Sequence, residues 1–264
     1  MKKLSLLIFL LLSLPFFINC DYQEIEEEPI TEQEQPEILA DNPVNEPPEN
    51  PKPPEDNPPV NNPATYKTKQ NIKYLALGDS YTIGESVATN KSFPAQLKDS
   101  IEAKTGKNVD LKIIARTGWR TDDLINVIKN DSLTSDYDLV SLLIGVNNQF
   151  QGRDFKQYEA EFNNLLDTAI KLAQGIKKNV FVVSIPDYAF TPFGNEDEKI
   201  SEEIDKYNNY ARKETVSRNI PFVEVTEITR RGLQEPNLVA TDGLHPSADA
   251  YAEFVSEIYK VLFP

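Results

Sequence analysis

Four short segments of the 264-residue chain hold the residue types that acyl transfer needs. Gly78-Asp79-Ser80 supplies a hydroxyl, and Thr117-Gly118-Trp119 supplies a small residue that allows close backbone approach. Gly145-Val146-Asn147-Asn148 supplies an amide, and Asp242-Gly243-Leu244-His245-Pro246 supplies a carboxylate and an imidazole. A serine hydroxyl is a weak nucleophile until a base takes its proton. Imidazole does this near neutral pH. A carboxylate on the other ring nitrogen fixes the tautomer and stabilises the imidazolium. Asp242 precedes His245 by three positions, so a tight loop can bring it to Nδ1 while Nε2 faces Ser80. The tetrahedral oxyanion needs donors, each worth ~3 kcal/mol of barrier in enzymes where one has been removed. The backbone N–H groups of Ser80 and Gly118 and the side-chain amide of Asn147 can supply three. His245 is the only histidine, so any imidazole chemistry must use it.

Taken singly, each of these residues also has an ordinary structural use. Ser80 would serve as a helix cap, His245 as a surface histidine, Gly118 as a turn residue and Asn147 as a loop amide stabilising its own turn. Trp119, Tyr188, Phe190 and Phe193 fall in loops after predicted strands, where they wall a pocket or anchor the loop. Arg120 and Arg153 read as solvated charges or ion-pair partners before they read as ligands of an anionic substrate.

The elements that must position these groups are legible as hydrophobic patterns. Tyr74 to Leu77, Leu111 to Ala115, Leu139 to Ile144, Val180 to Ile185 and Phe222 to Val225 are apolar runs. They are mostly continuous rather than alternating, which suits strands covered on both faces of a parallel sheet. Between them, Phe155, Tyr158, Phe162, Leu166, Ala169 and Ala173 recur at helical steps, as do Tyr251, Phe254, Val255, Ile258 and Leu262. Thr121 followed by Asp122 and Asp123 reads as a hydroxyl cap with acids at the positive end of a helix dipole. The alternation of strand and helix predicts one doubly wound, three-layer α/β domain, whose sites gather at the carboxyl ends of the strands. All four chemical segments follow a predicted strand.

Together, Gly78-Asp79-Ser80-Tyr81, Gly118, Gly145-Val146-Asn147 and Asp242-Gly243-Leu244-His245-Pro246 resemble the four blocks of the SGNH (GDSL-type) hydrolases. The resemblance covers nearly all of 73–263, in order and spacing. It implies a flavodoxin-like α/β/α sandwich with a five-stranded parallel sheet. It also implies a catalytic set of Ser80, His245 and Asp242, with an oxyanion hole from Ser80, Gly118 and Asn147. Asn148 stands where the family often has Asp, at a position that supports the loop, so its local hydrogen bonds are expected to differ. The Gly-x-Ser-x-Gly elbow of α/β-hydrolases is absent, which argues against that fold. The reaction implied is ester hydrolysis through an acyl-enzyme on Ser80, with no metal or organic cofactor. Substrates within reach of that chemistry are an acetylated glycan, a lysophospholipid, or another small ester or thioester, because fold does not choose among them. A non-catalytic binding module on the same fold and an acyltransferase are the competing classes.

Composition bounds the rest. The chain carries 27 basic and 42 acidic residues, a formal charge of −15, which disfavours general binding to a phosphate backbone. Most of that charge lies in residues 21–66, which hold 13 acids, one base (Lys52) and 11 of the 19 prolines. Such a segment cannot bury enough apolar surface to offset its ordering entropy, and its prolines favour an extended, semi-stiff spacer. Lys2-Lys3 and the apolar run Leu4 to Ile18 read as a signal peptide over residues 1–19. Cys20, the only cysteine, resembles the lipidated residue of a bacterial lipoprotein, although Asn19 departs from the usual small residue before it. One Cys and one His exclude an intramolecular disulfide and a zinc site built from several such ligands. The expected organisation is a signal peptide over 1–19, a lipidated tether over 20–66 and a hydrolase domain over 67–264. The expected location is the periplasmic face or cell surface, held by a lipid anchor.

Overall fold

The computed structural model describes residues 64–264. The expected signal peptide, Cys20 and the tether to position 63 lie outside the described residues. Five strands form one parallel sheet: β1 (Asn71–Gly78), β2 (Asn108–Ala115), β3 (Leu139–Leu143), β4 (Val180–Val183) and β5 (Phe222–Val223). Their order across the sheet is β2-β1-β3-β4-β5, the doubly wound flavodoxin-like arrangement. Residues 139–143 of β3 and 180–183 of β4 are buried throughout, as expected of strands covered on both faces. Strand β2 is different. It lies at the sheet edge and alternates, with Asp110 and Lys112 exposed together on a face open to solvent.

The long helices are α3 (Phe93–Thr105), α4 (Thr121–Asn130), α6 (Phe155–Leu172), α7 (Glu198–Ser217) and α9 (Ala248–Leu262). Short helices are α1 (Thr65–Thr68), α2 (Ser80–Ile83), α5 (Val146–Phe150) and α8 (Thr226–Thr229). Helix α3 packs on α9 and β2, while α4, α6 and α7 pack in series, with α6 on β3. Among the described residues, no helix is long and apolar enough to cross a membrane.

Two local readings change. The N-cap of α4 is Arg120 rather than Thr121; the Arg120 N–H donates to the Asp123 carboxylate at 3.1 Å. The Thr121 hydroxyl turns inward to the Glu161 carboxylate on α6 instead of capping its own helix. Strand β5 stops at Val223, because the N–H groups of Val225 and Thr226 turn to the Ser184 hydroxyl at 2.8 and 3.2 Å.

The folded body also reaches back to Ala64, before the expected boundary at 67. Ala64 and Tyr66 are buried. The Tyr66 hydroxyl donates to the Leu262 carbonyl at 3.3 Å, and its ring meets Phe263 edge-on at 5.4 Å. Thr65 donates its N–H to the Asn179 side chain at 2.8 Å and its hydroxyl to Asp138 at 3.0 Å. Helix α1 therefore closes the amino-terminal end of the sheet against the last helix. Tyr66→Ala should lower unfolding free energy by about 2–4 kcal/mol, seen as a lower urea midpoint at unchanged slope. An unshifted midpoint would show that residues 64–66 merely rest on the surface.

Candidate active site

Register brings the chemical segments together. Gly78 at the end of β1 pairs with Ala115 at the end of β2 and with Leu143 at the end of β3. Three adjacent strands thus stop on one line, and Asp79-Ser80, Thr117-Gly118 and Gly145-Asn147 leave it side by side. The crevice between β1 and β3 is the point where the connections reverse direction, the place where such sheets hold ligands. Gly78 is required by closeness: a Cβ there would collide with the Thr82 hydroxyl and the Leu143 carbonyl.

Asp79, fully buried, caps α2 by accepting the Tyr81 N–H at 3.0 Å, so Ser80 is the first helical residue and not the cap. The Ser80 hydroxyl and the Ser80 N–H have no hydrogen-bond partner among the described residues. The helix ends at Gly84 (φ 80°), and the N–H groups of Gly84 and Glu85 both return to the Ser80 carbonyl at 3.0 Å.

The acid and the imidazole sit on the loop before α9. Val239 and Pro246 form an antiparallel bridge, and the Ala240 N–H donates to the His245 carbonyl at 2.7 Å. Inside this narrow loop, Asp242 Oδ1 accepts the N–H groups of Leu244 and His245 at 2.9 and 3.0 Å. Asp242 Oδ2 lies 2.6 Å from His245 Nδ1. A carboxylate at Nδ1 makes that nitrogen the donor and leaves Nε2 as the acceptor. The carboxyl is held below the usual carboxylate range: burial opposes this, and hydrogen bonds from Ser86, His245 and the loop backbone outweigh it. The edge of the His245 ring system meets the Tyr81 ring at 5.7 Å.

The third and fourth groups come from loops tied to each other. Gly118 adopts φ 84°, and a Cβ there would meet nothing within 4 Å. The left-handed backbone at this position favours glycine whatever the space around it. Its N–H has no acceptor among the described residues. Asn147 Nδ2 donates one hydrogen to the Trp119 carbonyl at 3.0 Å, which orients the amide and leaves its second N–H free. Asn148 accepts the Thr121 N–H at 3.1 Å and donates to the Thr121 hydroxyl at 2.7 Å. Because Asn148 is an amide donor, the Thr121 hydroxyl hydrogen is available to Glu161. An Asp at 148 would compete for it.

Ser80, Gly118, Asn147 and His245 line one cavity of about 130 Å³. Asp242 lies behind His245 and reaches the cavity only through the ring. Of the aromatic residues singled out in the sequence, Tyr188 and Phe193 line it, whereas Trp119 and Phe190 do not. Phe150, Val146 and Leu244 complete the apolar wall and were missed; Val146 and Leu244 lie inside the motif blocks and Phe150 one turn beyond Asn147. Phe150, Tyr188 and Phe193 touch mutually, with ring centres 6.0–6.2 Å apart. Arg120 is engaged with Asp122 and Gln151, and neither it nor Arg153 lines the cavity. Among the described residues, no three His, Cys, Asp or Glu side chains are grouped to hold a metal ion.

Sheet order, strand-end register and this set of side chains define an α/β/α hydrolase. The chain belongs to the GDSL-like lipase/acylhydrolase family, which it matches over residues 76–253, and is thereby an ester-hydrolysing serine hydrolase. It is 24% identical over 212 residues to the uncharacterized protein YpmR of Bacillus subtilis, spanning 74% of this chain and 83% of that protein. Its fold is similar to a lipolytic protein G-D-S-L family member from Veillonella parvula (TM-score 0.57, 20% identity, 72% of this chain and 97% of that one). It is also similar to the acetylxylan esterase Axe2 from Geobacillus stearothermophilus (TM-score 0.59, 20% identity, 73% and 94%).

Asp79 makes the site's stability depend on pH. Burial pushes its carboxyl up to about 8, and its Oδ2 has no partner among the described residues. In the unfolded chain the same group ionises near ~3.9. Between those values the folded state holds a proton that the unfolded state has lost, so the native state loses stability as pH rises from about 4 to about 8. Asp79→Asn keeps the cap acceptor and has no proton to release. Its unfolding free energy relative to wild type should therefore climb across that window, read by urea titration at several pH values. A difference independent of pH would show that Asp79 is ionised in the fold.

Proposed function

We propose that the protein is a serine esterase in which Ser80 attacks the ester carbonyl, His245 takes its proton, and Asp242 holds and neutralises the imidazolium. The observation that carries this reading is the 2.6 Å contact of Asp242 with Nδ1 of a ring that shares its cavity with Ser80. The alcohol leaves with the proton from His245, and water, deprotonated by the same ring, then releases the acid from Ser80. The free N–H groups of Ser80 and Gly118 and the second N–H of Asn147 are the donors available to the oxyanion.

The substrate is a neutral, short-chain ester. The wall of Val146, Phe150, Tyr188, Phe193 and Leu244 is apolar, and no Lys or Arg lines the cavity. The cavity is of modest size, about 130 Å³, which favours a short acyl chain over a long one in this reading. The similarity in fold to an acetylxylan esterase agrees with a small acyl group. Ser80→Ala and His245→Ala should each remove turnover of nitrophenyl acetate and butyrate, and Asn147→Ala should lower kcat by about 10²–10³. Octanoyl and longer esters should turn over more slowly. Wild-type rates in Ser80→Ala would reject the nucleophile, and a preference for long chains would reject the substrate class.

The reading extends to location. Lys2-Lys3, the apolar run to Ile18 and Cys20 support export and lipid attachment, with the proline- and acid-rich segment as spacer. Cys20→Ala should move the protein from the membrane fraction to the soluble fraction. Continued membrane retention would reject the anchor.

A further inference from the structure

We propose that Glu85 and Ser86 form a positioning clasp that ties the nucleophile's turn to the loop of Gly118 and to the loop of Asp242. The proposal rests on the assignment of Ser80, His245 and Asp242 as the catalytic set. The Ser86 hydroxyl donates to Asp242 Oδ2 at 2.6 Å, the same oxygen that faces His245 Nδ1. The two residues are 156 positions apart, so this contact belongs to the fold and not to a local turn. One residue earlier, the Glu85 carboxylate accepts the hydroxyl of Thr117, the neighbour of Gly118. The Glu85 N–H is itself bound to the Ser80 carbonyl at 3.0 Å. Two consecutive residues thus touch three of the four chemical segments, and neither lines the cavity.

The backbone argues in the same direction. Ser86 sits at φ 64°, in the left-handed region that a residue with a Cβ rarely occupies. Such a conformation persists where surrounding contacts fix it, and it recurs at functional sites. In that conformation Ser86 points its hydroxyl to Asp242 while Glu85 reaches the opposite way to Thr117. Asp242 Oδ1 is already held by two backbone N–H groups of its own loop. Oδ2 is shared between the ring and Ser86, so the hydroxyl draws off part of the negative charge that would otherwise face the imidazolium. Other titratable groups surround the ring: Tyr81 and Asp79 on the nucleophile's turn, Glu85 beside Ser86, Asp187 and Tyr188 after β4, and Tyr251 on α9. All stay unchanged when only Ser86 is replaced.

The test uses the full chain with Ser86→Ala, Ser86→Gly, Glu85→Ala and Glu85→Gln. Glycine deletes the hydroxyl while suiting the left-handed backbone, so Ser86→Gly separates the contact from backbone strain and from misfolding. Both Ser86 variants and Glu85→Ala should lose about three- to tenfold in kcat with KM nearly unchanged, and Glu85→Gln, which still accepts from Thr117, should stay near wild type. The single histidine allows a readout independent of turnover. The Nδ1–H proton resonance of His245 should move in both Ser86 variants, because Asp242 Oδ2 then bonds the ring without sharing itself with a hydroxyl. Wild-type kcat and an unmoved His245 Nδ1–H resonance in Ser86→Gly would overturn the clasp, as would Glu85→Gln losing as much as Glu85→Ala. A failure of the catalytic assignment itself would appear elsewhere, as undiminished turnover by Ser80→Ala.

Discussion

The common end of β1, β2 and β3 is the constraint from which the site follows. Parallel pairing sets Gly78 opposite both Ala115 and Leu143, so three chain segments leave the sheet at one level. Hydrogen bonding along the ladder fixes that level at every pair, and a slip of one residue would turn each buried side chain to the opposite face. Ser80, the Gly118 loop and the Asn147 loop are consequently held by the most buried part of the molecule. Only the Asp242–His245 loop arrives from elsewhere, at the start of α9. Its position is set by the Val239–Pro246 bridge and by the Phe193 N–H bond to the Gly243 carbonyl at 3.0 Å.

Above that line, short polar contacts hold the loops. Asn148, Thr121 and Glu161 form one chain of hydrogen bonds beneath the Asn147 turn, each donor matched to a different acceptor. Gln149 donates to Glu203 and accepts the Tyr188 hydroxyl at 3.0 Å, which joins the cavity wall to α7. Buried polar groups are tolerated when every member is satisfied. Asp79 is one exception, since its second oxygen is unpaired and burial favours its neutral form. It lies directly before Ser80, where in the proposed reaction a buried negative charge would oppose the developing oxyanion. A neutral carboxyl at that point caps α2 without that repulsion.

Much of this was legible in the sequence for a physical reason. Strands covered on both faces must be continuously apolar, so β3 and β4 announce themselves. Five residues of the edge strand β2 look like a buried run; its alternation comes from one face lying open to solvent, which only the packing of the layers decides. Thr121 looked like a helix cap because its side chain and the acids after it fit one. The inward hydroxyl depends on Glu161, 40 residues away. By sequence Tyr66 falls in the spacer, because its surroundings are polar and proline-rich. Its burial depends on Leu262 and Phe263 at the other end of the chain.

The sequence by itself determined which groups are on offer: the Ser80 hydroxyl, one imidazole with a carboxylate three residues before it, and amide donors, each following an apolar run. Residue type and local spacing suffice for that, because the bonds Asp242 makes to Leu244 and His245 span no more than three positions. Tertiary structure decided which aromatic rings line the cavity, which groups are charged, and what holds the acid in place. Burial of Asp79, the reach of Ser86 to Asp242 and the gathering of Phe150 with Phe193 arise between residues far apart in the chain. No local pattern encodes such distances. They exist only once the sheet has closed and the loops have met across it.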